Sequence, residues 1–360
     1  MTAAISQLPA SELPAGELIV RRDGVAGILS LNRPKAIHAL TVKMVQAMTA
    51  ALLAWRDDPT VQVVMIDHAE GRGFCSGGDI NLIRESAING GGTSGRRFFY
   101  EEYQLNNQLF TYGKPVVSFM DGITMGGGVG IALPARFRVA TENTRLAMPE
   151  TSIGLFPDVG GGWHLSRLPG QIGKFLGLTG ARINGSECLW AGLATHYLPQ
   201  EHLADAKARI AQGDDIAGAL AALSFTPPAP GLATHAKAIA RHFAANRLED
   251  ILVSLANDDG EWAAKELATL RTKSPQTLKV ALHQLELGSH LPNFAANMAM
   301  EYRMASRLMM RPDFAEGVRA VIIDKDNAPK WNPATPEDVT DELIEAIFAP
   351  LPPAEEWKPL

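Results

Sequence analysis

The first half of the chain alternates short apolar segments with turns that contain glycine. Residues 17–22 and 25–31 flank an Asp-Gly pair, a pattern typical of a β-hairpin. Residues 61–66 and 116–120 are short apolar runs, which indicate buried strands. The pattern therefore predicts several strands in this half of the chain.

Helical patterns lie between these strands. Thr41 is the predicted N-cap of a helix that extends to about Trp55, because the apolar residues between them recur at helical spacing. Further helices are predicted from Ile80 and over residues 98–112, with a flexible loop at residues 88–95. Strands, glycine turns and helices in this order favour an α/β fold over an all-helical or all-β one.

The pattern changes at about residue 200, beyond which every predicted element is helical. Residues 226–230 (TPPAP) mark a linker, and Thr335 is a predicted N-cap with proline next to it. We therefore predict a flexible leader at 1–16, an α/β core at 17–225 and a helical C-terminal region at 226–360. The predicted helices of the last part of the chain cover residues 201–223, 233–256, 258–272, 276–288, 293–310 and 336–348.

Composition narrows the function classes. The 360 residues are 46% hydrophobic and carry a net charge of −6, which gives no reason to expect nucleic acid as a partner. Only Cys75 and Cys188 are cysteines, so a disulfide framework and a zinc cluster are both disfavoured. No apolar run is long enough to span a membrane, and the N-terminus lacks signal-peptide features. These features predict a cytoplasmic protein without a membrane partner.

Two glycine-rich turns follow predicted strands and precede predicted helices. The first ends at Gly77-Gly78 and the second contains Gly127. Such turns bring backbone close to a ligand and leave N–H groups free, although tight packing also selects glycine. Two such turns in one chain predict a pair of backbone N–H donors for a developing oxyanion, which acyl transfer requires.

Two acidic residues lie in an apolar segment rich in glycine and proline. Glu150 and Asp158 are eight residues apart between Met148 and Gly162. Burying an unpaired carboxylate is costly, so acids in such surroundings are often functional. The alternative is an N-cap role for Asp158 and a surface position for Glu150.

Several other signals point to structural residues. Residues 90–95 match GxGxxG but follow no strand, so a dinucleotide site is disfavoured. Ser76 lies in an incomplete GxSxG motif, which disfavours a nucleophilic serine. Cys75 is expected to be a small packing residue, and His164 and His196 to be structural histidines.

The motifs together resemble the enoyl-CoA hydratase/isomerase (crotonase) superfamily. This likeness covers about residues 17–200 and rests on residues 31–35, 73–80, 122–128 and 147–154. Over nearly its whole length, the chain also resembles one branch of the superfamily, whose members hydrolyse acyl-CoA thioesters. That likeness rests on residues 122–130, 148–162, 314–320 and 323–326, with Pro329 and Trp331.

The resemblance implies a spiral of stacked ββα units followed by a helical C-terminal region. It also implies an oxyanion hole formed by the N–H groups of Gly78 and Gly127. The CoA adenine is expected against a loop that matches residues 36–39, where His38 replaces the asparagine usual in the family.

The resemblance also distinguishes hydration from hydrolysis as the expected reaction. Superfamily hydratases use two glutamates, of which the first matches Gly130 and the second matches Glu150. Gly130 has no side chain to activate water, whereas Asp158 supplies a different second acid. This favours the hydrolase branch, in which Glu102 matches a glutamate that contacts the substrate.

The implied reaction is hydrolysis of a short 3-hydroxyacyl-CoA to the free acid and CoA, in valine breakdown. Candidate substrates are 3-hydroxyisobutyryl-CoA and, second, 3-hydroxypropionyl-CoA. We predict Glu150 and Asp158 as catalytic residues, and Glu102, Gly127, Glu150 and Asp158 as substrate-binding residues. No metal or organic cofactor is expected, because CoA is part of the substrate.

Three alternatives stay open at the level of sequence. Glu150 either attacks the thioester carbonyl or activates water as a base. The chain could instead be an enoyl-CoA hydratase or isomerase, or a catalytically silent binding subunit. Superfamily members often form trimers or hexamers, so a homo-oligomer and a C-terminal region that folds back on its own core both remain open.

Overall fold

The computed structural model describes residues 16–360, so the predicted leader lies outside the described residues except for Gly16. Within this range the chain forms ten strands. They are β1 (Leu18–Asp23), β2 (Ala26–Leu31), β3 (Val63–His68), β4 (Gly73–Cys75), β5 (Val116–Met120), β6 (Ile123–Met125), β7 (Phe137–Ala140), β8 (Arg145–Ala147), β9 (Ile183–Asn184) and β10 (His196–Tyr197).

The strands form two sheets. The larger sheet has six strands in the order β1-β2-β3-β5-β7-β10, and the smaller has four in the order β4-β6-β8-β9. β1 and β2 pair antiparallel, as the hairpin pattern predicted, whereas β2, β3, β5, β7 and β10 run parallel. From β3 to β8, successive strands alternate between the two sheets. The predicted crotonase-like spiral of ββα units is confirmed.

The central strands β2, β3 and β5 of the larger sheet are buried on both faces, which explains the uninterrupted apolar runs. In β3, Val64 and Ile66 face the main hydrophobic core, whereas Val63 and Met65 face a second core. Side chains of neighbouring residues point to opposite faces of a strand, so both faces need apolar residues. Two helices near residues 203–223 cover the second core.

Sixteen α-helices accompany the strands within residues 16–360. They are α1 (Val42–Arg56), α2 (Ile80–Asn89), α3 (Thr93–Phe110), α4 (Gly127–Ala132), α5 (Gly161–Leu165), α6 (Ile172–Thr179), α7 (Gly185–Ala191), α8 (Leu203–Ala211), α9 (Ile216–Leu223), α10 (Ala236–His242), α11 (Leu248–Ala256), α12 (Glu261–Arg271), α13 (Pro275–His290), α14 (Phe294–Leu308), α15 (Pro312–Val318) and α16 (Asp341–Phe348). No helix in the described part of the chain is long and apolar enough to cross a membrane.

Helix ends agree with the sequence where a local cap determines them. Thr41 caps α1, as predicted, because its side chain accepts a hydrogen bond from Met44 N. Thr335 occupies the predicted N-cap position with proline in the first turn, but its side chain makes no capping bond, and only a single 3₁₀ turn (Pro336–Asp338) follows. Thr340 caps α16 instead, and accepts a hydrogen bond from Leu343 N.

Three further predicted segments differ from the structure, one of which is 233–256, because α10 and α11 divide it. The loop predicted at residues 88–95 is shorter, because α3 already begins at Thr93 after the left-handed Gly92. The segment 201–223 is two helices, since Gly213 has a φ of +96° and Asp215 caps α9.

The main core joins both halves of the chain. Its buried residues run from Leu18 in β1 to Trp357 near the C-terminus. The C-terminal helices therefore pack on the sheet region of the same chain. The boundary between residues 225 and 226 stays a prediction.

Candidate active site

Each glycine-rich bend follows a strand of the smaller sheet. Gly78 lies between β4 and α2, and Gly127 is the first residue of α4 after β6. β4 and β6 pair in parallel, so both bends lie at the same edge of this sheet. They are also in contact, because a β-carbon at Gly77, whose φ is +116°, would lie 3.7 Å from Gly127 N.

The two backbone N–H groups at these bends are free. Among residues 16–360, neither Gly78 N nor Gly127 N donates a hydrogen bond. A β-carbon at Gly127 would lie 3.2 Å from Gly78 N and 2.5 Å from Glu102 Oε1. Glycine therefore keeps open the space that both amides border, which is the arrangement an oxyanion hole requires.

Three buried carboxyl groups lie beside these amides. Glu102 is on α3, Glu150 begins a 3₁₀ turn after β8, and Asp158 lies in the loop before α5. Their exposed fractions are 2%, 5% and 4%. Glu150 Oε1 would lie 3.2 Å from a β-carbon at Gly126. The three acids and both predicted oxyanion glycines thus line one cavity.

This cavity has a volume of about 580 Å³, which is within the range of small-molecule sites. Phe98 and Phe99 contribute apolar walls, and Arg182 and Lys273 add cationic groups. Lys273 Nζ donates a hydrogen bond to Ser152 Oγ at 2.8 Å. The cavity therefore combines acidic, apolar and cationic walls.

Burial dominates the electrostatics of the acids. Burial, together with the charges of Asp158 and Glu150, raises the pKa of Glu102 well above its ordinary value. Burial and the charge of Asp158 likewise raise the pKa of Glu150. Burial raises the pKa of Asp158 to about 7. Because each charge disfavours the next, one ionised acid in the cluster favours protons on its neighbours, and the cluster titrates as a unit.

Tyr103 contacts the site and was not identified from the sequence. Its hydroxyl donates a hydrogen bond to Asp158 Oδ2 at 2.8 Å, and this bond lowers the pKa of Asp158. Tyr103 follows Glu102 on α3 and is fully buried. An aromatic residue in an amphipathic helix ordinarily indicates core packing, so the sequence carried no signal for this contact.

The residues that the sequence assigned to structure are buried or already bonded. Burial raises the pKa of the Cys75 thiol to about 12. Ser76 Oγ donates to the backbone oxygen of Ala36 at 3.0 Å. Burial lowers the pKa of His164 to about 3. None of these three groups is prepared for nucleophilic or general-base chemistry.

His38 supports the loop that the resemblance places against the adenine. Its ring is buried, Nδ1 accepts from Arg33 N at 2.8 Å, and Nε2 lies 2.9 Å from Glu70 O. The ring therefore binds backbone on both sides. Its contacts are to the protein itself.

The structure leaves no space for a side chain at position 130. A β-carbon there would lie 2.5 Å from Val159 Cβ and 3.0 Å from Asn106 Nδ2. A glutamate at this position would have to displace the loop next to Asp158.

A family model described as Enoyl-CoA hydratase/isomerase matches residues 26–348. Among curated proteins, the chain is 42% identical to "3-hydroxyisobutyryl-CoA hydrolase, mitochondrial" of Xenopus tropicalis. The alignment covers 346 residues, 93% of this chain and 89% of that protein.

Two solved structures are similar over 95% of the chain. A carnitinyl-CoA dehydratase from Mycobacterium thermoresistibile has a TM-score of 0.90 at 39% identity, with 98% of that chain covered. An enoyl-CoA hydratase from Rhodobacter sphaeroides 2.4.1 has a TM-score of 0.89 at 38% identity, with 100% covered. Both the fold and the arrangement of the C-terminal helices are therefore shared with solved proteins.

Proposed function

The chain belongs to the enoyl-CoA hydratase/isomerase family, and we propose that it hydrolyses the thioester of 3-hydroxyisobutyryl-CoA to the free acid and CoA. The name of the Xenopus tropicalis relative, 42% identical over 93% of this chain, supports this substrate. 3-Hydroxypropionyl-CoA, which lacks one methyl group, is the second candidate. The first substrate places the reaction in valine breakdown.

The observation that carries this proposal is the pair of free amides at Gly78 and Gly127 beside buried carboxyl groups. The thioester oxygen would accept hydrogen bonds from both amides as it becomes an oxyanion. Losing one such donor typically costs about 3 kcal/mol of transition-state stabilisation. Hydrolysis needs this stabilisation together with a group that activates water.

Glu150 is the proposed group that starts the reaction. As a base, it takes a proton from water while the water oxygen bonds to the acyl carbon and the carbon–sulfur bond breaks. As a nucleophile, its carboxylate bonds to the acyl carbon while the carbon–sulfur bond breaks and CoA leaves as the thiolate, and water then cleaves the anhydride into the free acid and the Glu150 carboxylate. One turnover in ¹⁸O-water tests the anhydride route with water attack at Glu150, because only that route labels the enzyme. Direct attack labels the product, whereas water attack at the Glu150 carboxyl carbon labels the enzyme.

Asp158 is the proposed proton carrier for the leaving thiolate. A pKa of about 7 suits a group that gives and takes protons near neutral pH. Glu102, whose Oε1 has no hydrogen-bond partner within the described chain, is proposed to contact the substrate. No cofactor enters this scheme.

The two similar solved proteins are named as a dehydratase and a hydratase, so hydration and dehydration are the rival proposal. Family hydratases use two glutamates, and the first would occupy position 130. Because Gly130 has no room for a side chain, the structure favours hydrolysis.

A thiol-reactive dye assay with 3-hydroxyisobutyryl-CoA tests the proposal. Wild type should release CoA, and Glu150→Gln and Asp158→Asn should each lose most of this activity. Asp67→Asn is the matched control, because this buried carboxyl binds Ser30 and Lys207 away from the cavity. Full activity in both active-site variants would contradict the assigned site.

The same assay separates the rival functions. A change in crotonyl-CoA absorbance without thiol release would favour the hydratase. No turnover of any acyl-CoA, together with co-purification in a large complex, would favour a silent binding subunit.

A cytoplasmic location and a homo-oligomeric assembly are two further proposals for this chain. The relative from Xenopus tropicalis is mitochondrial by name, whereas the cytoplasmic location of this chain rests on its sequence alone. Cell fractionation tests the location. Light scattering of the purified chain distinguishes a monomer from a homo-oligomer.

A further inference from the structure

Hydrogen bonds from α13 and α14 bracket the loop that carries Asp158. On one side, Gln284 Nε2 donates to the backbone oxygen of Pro157 at 2.8 Å. On the other, Glu301 accepts from Gly160 N at 2.7 Å and from Gly162 N at 2.9 Å. The backbone is therefore held directly before Asp158 and two and four residues after it.

Glu301 is the centre of this network and is fully buried. Its Oε1 also accepts from Asn297 Nδ2 at 2.8 Å and from Gln284 Nε2 at 3.0 Å. Burial raises the pKa of Glu301, while the bonds from Gly160, Gly162 and Asn297 lower it and favour the carboxylate. All its partners are donors, so an added proton would displace one of them.

The bracketed loop has a backbone conformation that needs support. Val159, the residue after Asp158, has a φ of +51°, a value that β-branched residues rarely adopt. Such a conformation persists only where the surroundings determine it. The contacts of Glu301 with Gly160 and Gly162 supply this support from outside the cavity, since Glu301 does not line it.

We propose that Glu301 is a positioning residue, which holds Asp158 in its reactive place through the backbone amides of Gly160 and Gly162. This inference rests on the proposed function, because it assumes that Asp158 acts on the substrate. Among the described residues that line the cavity, none belongs to α14. Glu301 acts only through the loop.

A double-mutant cycle on the full chain tests this role by thiol release from 3-hydroxyisobutyryl-CoA. Glu301→Gln keeps the shape of the side chain but replaces one acceptor with a donor that faces an N–H group. A displacement of a catalytic group by about 1 Å costs on the order of 100-fold in rate. We expect kcat to fall about 10- to 100-fold, and KM to change less than about 3-fold.

The Asp158→Asn background provides the readout that a general loss of stability would not produce. If Glu301 acts through Asp158, Glu301→Gln adds no further loss in that background. The control Asp67→Asn should keep the wild-type kcat. Equal losses in both backgrounds, a loss confined to KM, or a wild-type kcat in Glu301→Gln would each overturn the proposal.

Gln284→Met is the second variant, for the case that Glu301→Gln does not fold. It removes the donor to Pro157 and Glu301 while it keeps the volume of the side chain. We expect Gln284→Met to lower kcat less than Glu301→Gln does, and to cause no further loss in the Asp158→Asn background. An unchanged kcat would contradict a role for these hydrogen bonds in positioning Asp158. Failure of the proposed function itself is distinct, since the wild-type chain would then release no thiol, whereas failure of the assigned site would leave Glu150→Gln and Asp158→Asn active.

Discussion

Replacing Asp158 with asparagine should change how the stability of the protein depends on pH. Burial raises the pKa of Asp158 from 3.8 to about 7, so the folded chain retains a proton that the unfolded chain releases. The stability that this proton provides is complete below about pH 4 and declines as pH rises to about 7. Asparagine resembles the protonated acid and carries no such dependence.

The size of the change in stability follows from the pKa shift of Asp158. One pKa unit corresponds to about 1.4 kcal/mol. Between about pH 5 and pH 8, roughly two of the three units are lost, which gives on the order of 3 kcal/mol. For a chain of this length, 1 kcal/mol corresponds to about 1–2 °C in Tm. Relative to wild type, Asp158→Asn should therefore gain roughly 3–6 °C in Tm between these pH values.

Differential scanning fluorimetry at both pH values measures this gain. Glu316→Gln is the control, because the Arg319 hydrogen bond lowers the pKa of Glu316 to about 2. Both its folded and its ordinary pKa lie below pH 5, so its effect on Tm should be the same at both values. A constant or shrinking difference between Asp158→Asn and wild type would refute the electrostatic assignment of Asp158.

Three further predictions concern the cavity. Gly127→Ala places a β-carbon 3.2 Å from Gly78 N, and kcat for thiol release should fall about 10²- to 10³-fold; near-normal kcat would contradict the oxyanion hole. Tyr103→Phe removes a bond that lowers the pKa of Asp158, so the limb of the pH–rate profile that Asp158 controls should move to higher pH; a move to lower pH would contradict this. Gly130→Ala crowds the loop next to Asp158, and should lower stability by about 1–3 kcal/mol in urea denaturation and lower kcat as well; unchanged stability would show that the loop yields.

The elements that sequence predicts well have local signals. β5 matches its apolar run of residues 116–120, and α1 begins after the cap at Thr41. The short strands β4 and β6 carry no such signal. Each has three residues, and Gly73 pairs with Ile123, which is 50 positions away. Their existence depends on the tertiary fold.

The residues of the candidate site also divide into those that have a local sequence signal and those that have none. Glycine patterns indicated Gly78 and Gly127, and acids in an apolar segment indicated Glu150 and Asp158. All four line the same cavity. Glu102 entered only through the family resemblance, because a glutamate on a helix ordinarily indicates a solvated face. Tyr103 and Glu301 could not be found, since helical spacing does not reveal which distant loop a side chain meets.

The lack of space for a side chain at Gly130 bears on whether the chain catalyses hydration or hydrolysis. A free pair of amides stabilises an oxyanion in hydration and in hydrolysis alike, so the oxyanion hole does not distinguish them. The distinction depends on where the second acid lies. Val159 occupies the space beside Gly130, and the loop that places it there also carries Asp158. One loop conformation therefore excludes a glutamate side chain at position 130 and carries Asp158, the acid proposed for hydrolysis. A variant that restores a side chain at position 130 should lose hydrolysis without gaining hydration.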